Sequence, residues 1–237
     1  PTYELTLTYL SATLISQHDF QGALDIAQRV YDFDPGALQA LATIGDASLE
    51  LGLYDKAQTA YDELLARNPS APVYSRLARY AWITGDTPAA INWMQQAVDD
   101  AKFVGLKGER LAWYQFQLGE LYFKSGNVAE AAVQYSAAGD SFSTYYLVLA
   151  GEGKVAAARG DWDEAIAQYE ALVARLPQPD FVAMLGDFYR LAGNETAAQQ
   201  QYDTVFFIAE LEAVNNLLYN RQLALFTPIT TLIWHMH

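Results

Sequence analysis

The sequence predicts an all-α protein built as a solenoid of tandem helical hairpins, because small residues and aromatics recur along it at a fixed period. Five glycines each have an alanine five residues later: Gly52, Gly85, Gly126, Gly160 and Gly193. Successive glycines are 33 or 34 residues apart, except for one longer step between Gly85 and Gly126. Four of those alanines are followed four residues later by a tyrosine, and the fifth by Met94. In a stack of hairpins, function is expected on a binding surface rather than in one buried active site.

The period divides the chain into six hairpins, which we expect to form a single repeat domain over residues 1–237. Their ranges are about 4–37, 38–70, 71–104, 112–145, 146–178 and 179–212. A further helix over about 211–226 is expected to cap the last hairpin, since the end of a solenoid lacks a neighbour. The apolar segment that follows it, TTLIWHMH at 230–237, is expected to fold back, to pair with another copy, or to mark a chain cut short within a longer array.

The second hairpin shows why these residue types recur. Small residues such as Gly45 and Ala57 let two helices approach closely, and Tyr61 fills the space between successive hairpins. Gly52 permits the left-handed backbone that ends the first helix. Pro69 prevents the second helix from running on. Neither helix buries its apolar stripe alone, so each hairpin needs its neighbour.

The most regular unit, GDWDEAIAQYEALVARLP at 160–177, resembles the tetratricopeptide repeat family, and the resemblance covers about residues 4–212. It implies paired antiparallel helices wound into a right-handed superhelix. The inner groove of such a superhelix, lined by the first helix of each pair, receives an extended peptide or a partner helix. The chain departs from the family pattern where His18 replaces the turn glycine and where the third, fourth and sixth hairpins lack a closing proline. We expect His18 to be a turn residue.

The longer step in the period indicates a break between two halves. Hairpin starts at about 4, 38 and 71 recur at 112, 146 and 179, and the excess of seven residues lies in AKFVGLKG at 101–108. One hypothesis is a duplicated block of three hairpins with a hinge at 101–110. The alternative is that any two triplets of hairpins in this family align in this way without a duplication, and the sequence leaves both open.

Residues that follow the small residue of each first helix are expected to face the groove, because the small residue itself faces the packing seam. The charged members of this set alternate in sign: Asp46, Arg79, Glu120, Lys154 and Asp187. Neighbouring positions on the same faces add Trp82, Trp113, Phe116, Phe123 and Arg190. We interpret the groove as an accessible aromatic middle flanked by fixed charges that orient a peptide.

An alternative interpretation is that these charges only pair between neighbouring first helices and bind nothing, since exposed ion pairs of this kind are common. The expected pairs are then Asp46 with Arg79, Glu120 with Lys154, and Lys154 with Asp187. A clamp for the terminal carboxylate of a ligand is not predicted, because the groove positions carry no asparagine.

Composition restricts the class of partner. The 237 residues carry 14 Lys+Arg against 28 Asp+Glu, a net charge of −14, which disfavours nucleic acid and anionic lipid surfaces. A basic or apolar protein or peptide fits better, although the charge also serves solubility alone. The chain has no cysteine, so disulfides and thiol catalysis are excluded, and no apolar run is long enough to span a membrane. The compartment is left open, with the cytoplasm favoured.

No set of residues predicts catalysis, a cofactor or a metal. His18 has no nucleophile or carboxylate pattern around it, and His235 and His237 supply only two ligands on a terminal segment. The sequence therefore predicts a non-enzymatic interaction module or scaffold that binds a peptide or a partner helix. The alternative is a structural protein that assembles with itself through its terminal hairpin and apolar tail.

Overall fold

The structure is a computed structural model that describes residues 2–214, with side chains described from residue 5 to residue 211. Every regular element within those residues is an α-helix, so the all-α prediction is confirmed. The helices are α1 (Thr2–Ser16), α2 (Phe20–Phe33), α3 (Leu38–Glu50), α4 (Tyr54–Arg67), α5 (Ala71–Ile83), α6 (Thr87–Phe103), α7 (Glu109–Lys124), α8 (Val128–Ser141), α9 (Leu147–Ala158), α10 (Trp162–Arg175), α11 (Pro179–Leu191) and α12 (Glu195–Val214).

The chain divides into two compact units, Pro1–Leu121 and Tyr122–His237, which we call the N-terminal and C-terminal units. In the N-terminal unit α1 packs on α2, α3 on α4, and α5 on α6, while α2 contacts α3 and α4 contacts α5. In the C-terminal unit α9 packs on α10 and α11 on α12, with α8 against α9 and α10 against α11. Each unit is thus a row of helical hairpins that pack on their neighbours in chain order.

The small residues of the first helices lie where a tyrosine of the second helix crosses them. A methyl group on Gly45 would overlap the ring of Tyr61, and one on Gly186 would lie 2.6 Å from Cε1 of Tyr202. Tyr61 is fully buried by this contact. The predicted role of these glycines, which is to let the two helices approach, is confirmed.

The turns inside the hairpins use left-handed backbone. Gly52 has φ of 74°, and His18, in the corresponding position of the first hairpin, has φ of 60°. His18 is therefore a turn residue, as the sequence predicts. The next residue, Asp19, begins α2 by accepting a hydrogen bond from the N–H of Gly22 at 2.9 Å.

The seven-residue excess is accommodated in helix and loop. α6 has 17 residues, whereas α2, α4, α8 and α10 have 14 each, so α6 is about one turn longer. After Phe103 the chain passes through Gly105 and Gly108, both with positive φ, and enters α7 at Glu109. The division into one repeat domain with a hinge at 101–110 stays a prediction. The capping helix predicted over 211–226 and the tail at 230–237 lie largely or wholly outside the described residues.

Candidate functional site

A cavity of about 370 Å³ lies on the N-terminal unit, lined by side chains of α1 to α5 and α7. We call it the charged cavity. The polar and aromatic residues of its lining include Asp46, Glu50, Tyr61, Arg76, Arg79 and Trp113. The predicted groove residues Asp46, Arg79 and Trp113 are thus brought together in one cavity, while Glu50 and Arg76 were not predicted.

Asp46 is held by two side chains in the charged cavity, Arg76 and Tyr61. Arg76 donates from Nε to Oδ1 at 2.9 Å and from Nη2 to Oδ2 at 3.0 Å, which is a bidentate pair. The hydroxyl of Tyr61 donates to Oδ1 at 2.9 Å. Burial, together with the neighbouring Asp46 carboxylate, raises the pKa of Tyr61 above its ordinary value. Burial alone would lower the pKa of Arg76, but the charge and hydrogen bonds of Asp46, together with Tyr61 and Tyr114, more than offset this and the pKa is raised.

The predicted pairing of Asp46 with Arg79 is wrong. Arg79 donates to the carboxylate of Glu50, and Asp46 is paired with Arg76. The register of α5 against α3 places Arg76 opposite Asp46, and one turn further along both helices Arg79 lies opposite Glu50. The sequence period identifies which face of a helix is shared, but it does not fix the offset between two neighbouring helices.

Two groups of the charged cavity remain accessible to a ligand. The side chain of Arg79 is 54% exposed even though it is paired. Trp113 is 41% exposed, with its ring edge-on to Tyr114 at a centroid distance of 4.9 Å. An exposed indole beside a guanidinium offers a partner both apolar contact area and hydrogen-bond donors.

The prediction that Phe116 is accessible is wrong, because Phe116 is only 6% exposed. α7 is buried around most of its circumference between Ala112 and Leu121, so its aromatic side chains serve mainly as core. Trp82 is half-buried on α5 and does not line the charged cavity. Glu120 is half-buried on α7.

In the C-terminal unit, the ammonium group of Lys154 lies 5.6 Å from the ring centroid of Phe123 and 5.8 Å from that of Tyr135, close enough for cation–π attraction. Asp187 accepts hydrogen bonds from Nη2 of Arg190 at 3.1 Å and from the hydroxyl of Tyr202 at 2.8 Å. The remaining predicted groove residues therefore contact aromatic and charged neighbours within their own unit.

The tyrosine–aspartate hydrogen bond was missed by sequence reasoning although a signal for it exists. Tyr61 lies 15 residues after Asp46, Tyr202 lies 15 residues after Asp187, and each aspartate directly follows the glycine that its tyrosine crosses. A Gly-Asp pair with a tyrosine 15 residues after the aspartate thus identifies a hairpin whose groove carboxylate is fixed by the second helix.

A second, apolar cavity of about 550 Å³ adjoins the charged cavity in the N-terminal unit. We call it the apolar pocket. Its lining includes Ala71, Ala101, Val104, Leu106, Trp113 and Tyr114. The sequence pattern did not predict it, because Ala101, Val104 and Leu106 of its lining belong to the interruption of the repeat.

A polar cavity of about 670 Å³ lies in the C-terminal unit, between α8, α9 and α10. Glu152, Asp161 and Glu164 line it together with Arg159. Burial, and then the charge of Glu164, raises the pKa of Glu152 above its ordinary value.

Across the described part of the chain, no group of three or more histidine or carboxylate side chains is placed to hold a metal ion. None of the described helices is both long and apolar enough to span a membrane. His235 and His237 lie outside the described residues.

Comparison with protein families gives two matches. Two models, each described as tetratricopeptide repeat, match residues 14–80 and residues 151–205, together just over half of the chain. No curated protein sequence matches the chain.

Solved structures share the fold. A tetratricopeptide repeat protein from Parabacteroides merdae is 16% identical, with a TM-score of 0.67 over 87% of this chain and 80% of the other. PilW, a widely conserved type IV pilus biogenesis factor, is 16% identical, with a TM-score of 0.71 over 96% of this chain and 99% of the other. The Cut9–Hcn1 hetero-tetramer of APC/C has a chain 19% identical, with a TM-score of 0.70 over 84% of this chain but 39% of that one. At these identities the likeness is one of fold alone.

Proposed function

Since the chain belongs to the tetratricopeptide repeat family, a family of protein-interaction modules, we propose that it is a scaffold that binds a peptide or partner helix along the first helices of its N-terminal unit. The observation that carries this proposal is the charged cavity, where accessible Arg79 and Trp113 lie beside fixed carboxylates. A similar fold occurs in the Cut9–Hcn1 hetero-tetramer, an assembly of different proteins, which supports an interaction role.

The charged cavity suits an extended peptide because it offers both kinds of hydrogen-bonding group. Arg76 and Arg79 donate, Asp46 and Glu50 accept, and all four are held in place by one another before a ligand arrives. Groups fixed in advance lose little conformational freedom on binding, so more of the contact energy appears as affinity. Trp113 adds a large apolar surface at the edge of the cavity.

A library of random peptides displayed on phage tests this proposal when it is selected on the immobilised full chain. Synthetic copies of the enriched peptides are then titrated by fluorescence polarisation. We expect Arg79→Glu to weaken binding by about tenfold or more, because it removes a donor and sets two carboxylates against each other. Absence of any enriched peptide, or equal binding by the Arg79→Glu variant, contradicts the proposal.

Arg67→Glu is the matched control for Arg79→Glu. Arg67 lies on α4 and pairs with Glu63 at 2.8 Å, so the substitution also breaks an arginine–glutamate pair, but outside the charged cavity. We expect this variant to bind the selected peptides with wild-type affinity. A loss equal to that of Arg79→Glu would show that the effect is not specific to the cavity.

Self-assembly through the last hairpin is the second candidate, and exposed apolar side chains on the C-terminal unit favour it. Leu191 on α11 and Phe207 on α12 are both exposed. Light scattering at increasing concentration tests it with the full chain, a chain trimmed of residues 227–237, and Phe207→Asp. Self-assembly predicts that the mass of the full chain rises with concentration, and that both variants have a lower mass than the full chain at the same concentration. A mass that stays at one chain throughout overturns this candidate. Phe33→Asp, at an exposed position of α2, is the control.

A further inference from the structure

We propose that the apolar pocket is an anchor site for the partner peptide, taking one large apolar side chain that is flanked in the peptide by lysine or arginine. This inference rests on the proposed function and names the chemistry of its ligand. It places the anchor at the interruption of the repeat rather than at a position that every hairpin shares.

One part of the pocket wall is made by residues at the interruption of the period, and most of the rest comes from α5 and α7. The extra turn of α6 and the loop after it contribute Ala101, Val104 and Leu106 to the lining. Leu106 and Glu109 lie between the third and fourth hairpins, whereas every other pair of neighbouring hairpins follows without intervening residues. The seven-residue excess therefore contributes to the lining of a cavity of about 550 Å³ with a mainly apolar wall. That volume falls in the range of roughly 300–1,000 Å³ that is common for ligand pockets.

The wall of the pocket is formed before a ligand binds. The carboxylate of Asp100, near the end of α6, accepts a hydrogen bond from the N–H of Ala71 at 2.7 Å. This bond ties the last turn of α6 to the first turn of α5, where the free N–H groups of a helix favour an anion. Ala71, Ala101 and Tyr114 are all buried and form the fixed floor. Val104 and Trp113 are exposed at the mouth, where an entering side chain would contact them.

The charged side chains around the pocket favour basic residues on either side of the anchor in the peptide. Two carboxylates, Asp100 and Glu109, and one guanidinium, Arg110, lie around the pocket. Glu109 makes no ion pair with any described residue. The chain as a whole carries a net charge of −14. A peptide with lysine or arginine next to its apolar anchor is therefore attracted, while an acidic one is repelled.

The apolar pocket and the charged cavity form one continuous surface. Pro72, Trp113 and Tyr114 line both. A single extended peptide can therefore place its anchor in the pocket and its backbone against the charged pairs. The anchor adds a buried apolar contact to the contact area that Trp113 and Tyr114 offer in the charged cavity.

The test uses the same random-peptide phage library, selected on the full chain, with Val104→Asp as the variant. Val104 is exposed, so the substitution is compatible with folding, and it places a charge in the mouth of the pocket. We expect the enriched peptides to share a large apolar residue next to lysine or arginine. Their affinity for Val104→Asp should fall by about tenfold or more. Phe103→Asp is the matched control, since Phe103 is its exposed neighbour and does not line the pocket.

The outcomes separate the two proposals. Peptides that bind Val104→Asp as tightly as the wild type, or whose common residues are acidic or polar, overturn the anchor site but leave the charged cavity to be judged by Arg79→Glu. An equal loss in Phe103→Asp also overturns it. If Val104→Asp lowers the mass of the chain in light scattering instead, the pocket is an interface between copies and the proposal is wrong. Failure to enrich any peptide overturns both proposals. As a further expectation, Glu109→Lys should shift the preference beside the anchor from basic towards acidic residues.

Discussion

The two units each contain a tyrosine that crosses a glycine and donates a hydrogen bond to the next residue, an aspartate, yet the two aspartates are held differently. In the N-terminal unit the arginine on Asp46 is Arg76, which comes from the following hairpin. In the C-terminal unit the arginine on Asp187 is Arg190, three residues away on the same helix. The carboxylate of Asp46 therefore links two hairpins, whereas that of Asp187 is paired within its own helix.

Exposure follows the same division. The side chains of Arg76 and Asp46 are 26% and 28% exposed, whereas those of Arg190 and Asp187 are 37% and 44% exposed. An ion pair that is withdrawn from water and joins two elements is held more rigidly than one within a single helix turn. The same motif therefore builds a fixed wall of a cavity in one unit and a local surface contact in the other.

The largest difference is expected from adding a methyl group beneath each tyrosine. Gly45→Ala should lower the free energy of unfolding by about 2–3 kcal/mol, because Tyr61 is fully buried and held by Asp46, so its ring cannot move aside. Gly186→Ala should cost about 1 kcal/mol or less, since Tyr202 is only half-buried and alanine is the better helix former. Urea denaturation followed by circular dichroism measures both. Equal losses would show that the two tyrosines are held alike.

A smaller difference is expected from removing each arginine. Arg76→Ala should lower the free energy of unfolding by about 1–3 kcal/mol, because it leaves a half-buried carboxylate without its bidentate partner. Arg190→Ala should cost less than about 1 kcal/mol, since that pair is well exposed and screened by water. Both variants are compared by urea denaturation at low and high salt. A larger loss for Arg190→Ala contradicts the comparison.

The smallest difference between the two units is expected in how their tyrosines affect the stability of the fold at alkaline pH. Burial, then the neighbouring Asp46, raises the pKa of Tyr61, and burial, then the hydrogen bond to Asp187, raises the pKa of Tyr202. Burial and the hydrogen bond to Glu170 raise the pKa of Tyr189 to about 12. A raised pKa stabilises the fold fully below the unfolded value of about 10, and that stability is lost as pH rises through the folded value.

The urea midpoint should therefore fall as the pH rises above the unfolded value of about 10, and less steeply in Tyr61→Phe than in the wild type. Tyr202→Phe should change the slope at about pH 11 by a similar amount, because the raised pKa of each hydroxyl keeps it protonated in the folded state there. Tyr189→Phe serves as a reference for a tyrosine outside the aspartate motif. A slope unchanged in Tyr61→Phe contradicts the assignment of its hydroxyl to Asp46.

The sequence predicted the elements that depend on local sterics. Gly45, Gly52 and His18 occupy their expected places because small size and left-handed backbone are properties of single positions. The partner of Asp46 was predicted wrongly, because the offset between α3 and α5 depends on packing along both helices. Phe116 was expected to be exposed and is buried, since a face shared with Trp113 does not fix how deep each residue lies.

The apolar pocket could not be predicted for a different reason. A period identifies residues that repeat, and Val104 and Leu106 belong to the one stretch that does not. Their conformation depends on how an extra helical turn packs against the start of the neighbouring helix. The interruption is visible in the sequence, but the shape of the pocket depends on tertiary packing that the period does not specify.

The most direct test of binding on the N-terminal unit is an NMR titration of the ¹⁵N-labelled full chain with a library-selected peptide, read at the indole N–H signals. The chain has five tryptophans, of which Trp113 lines both the charged cavity and the apolar pocket and Trp162 lies in the C-terminal unit. We predict a saturable shift of the Trp113 signal while the Trp162 signal stays in place. A shift of Trp162 with Trp113 unchanged would contradict the account.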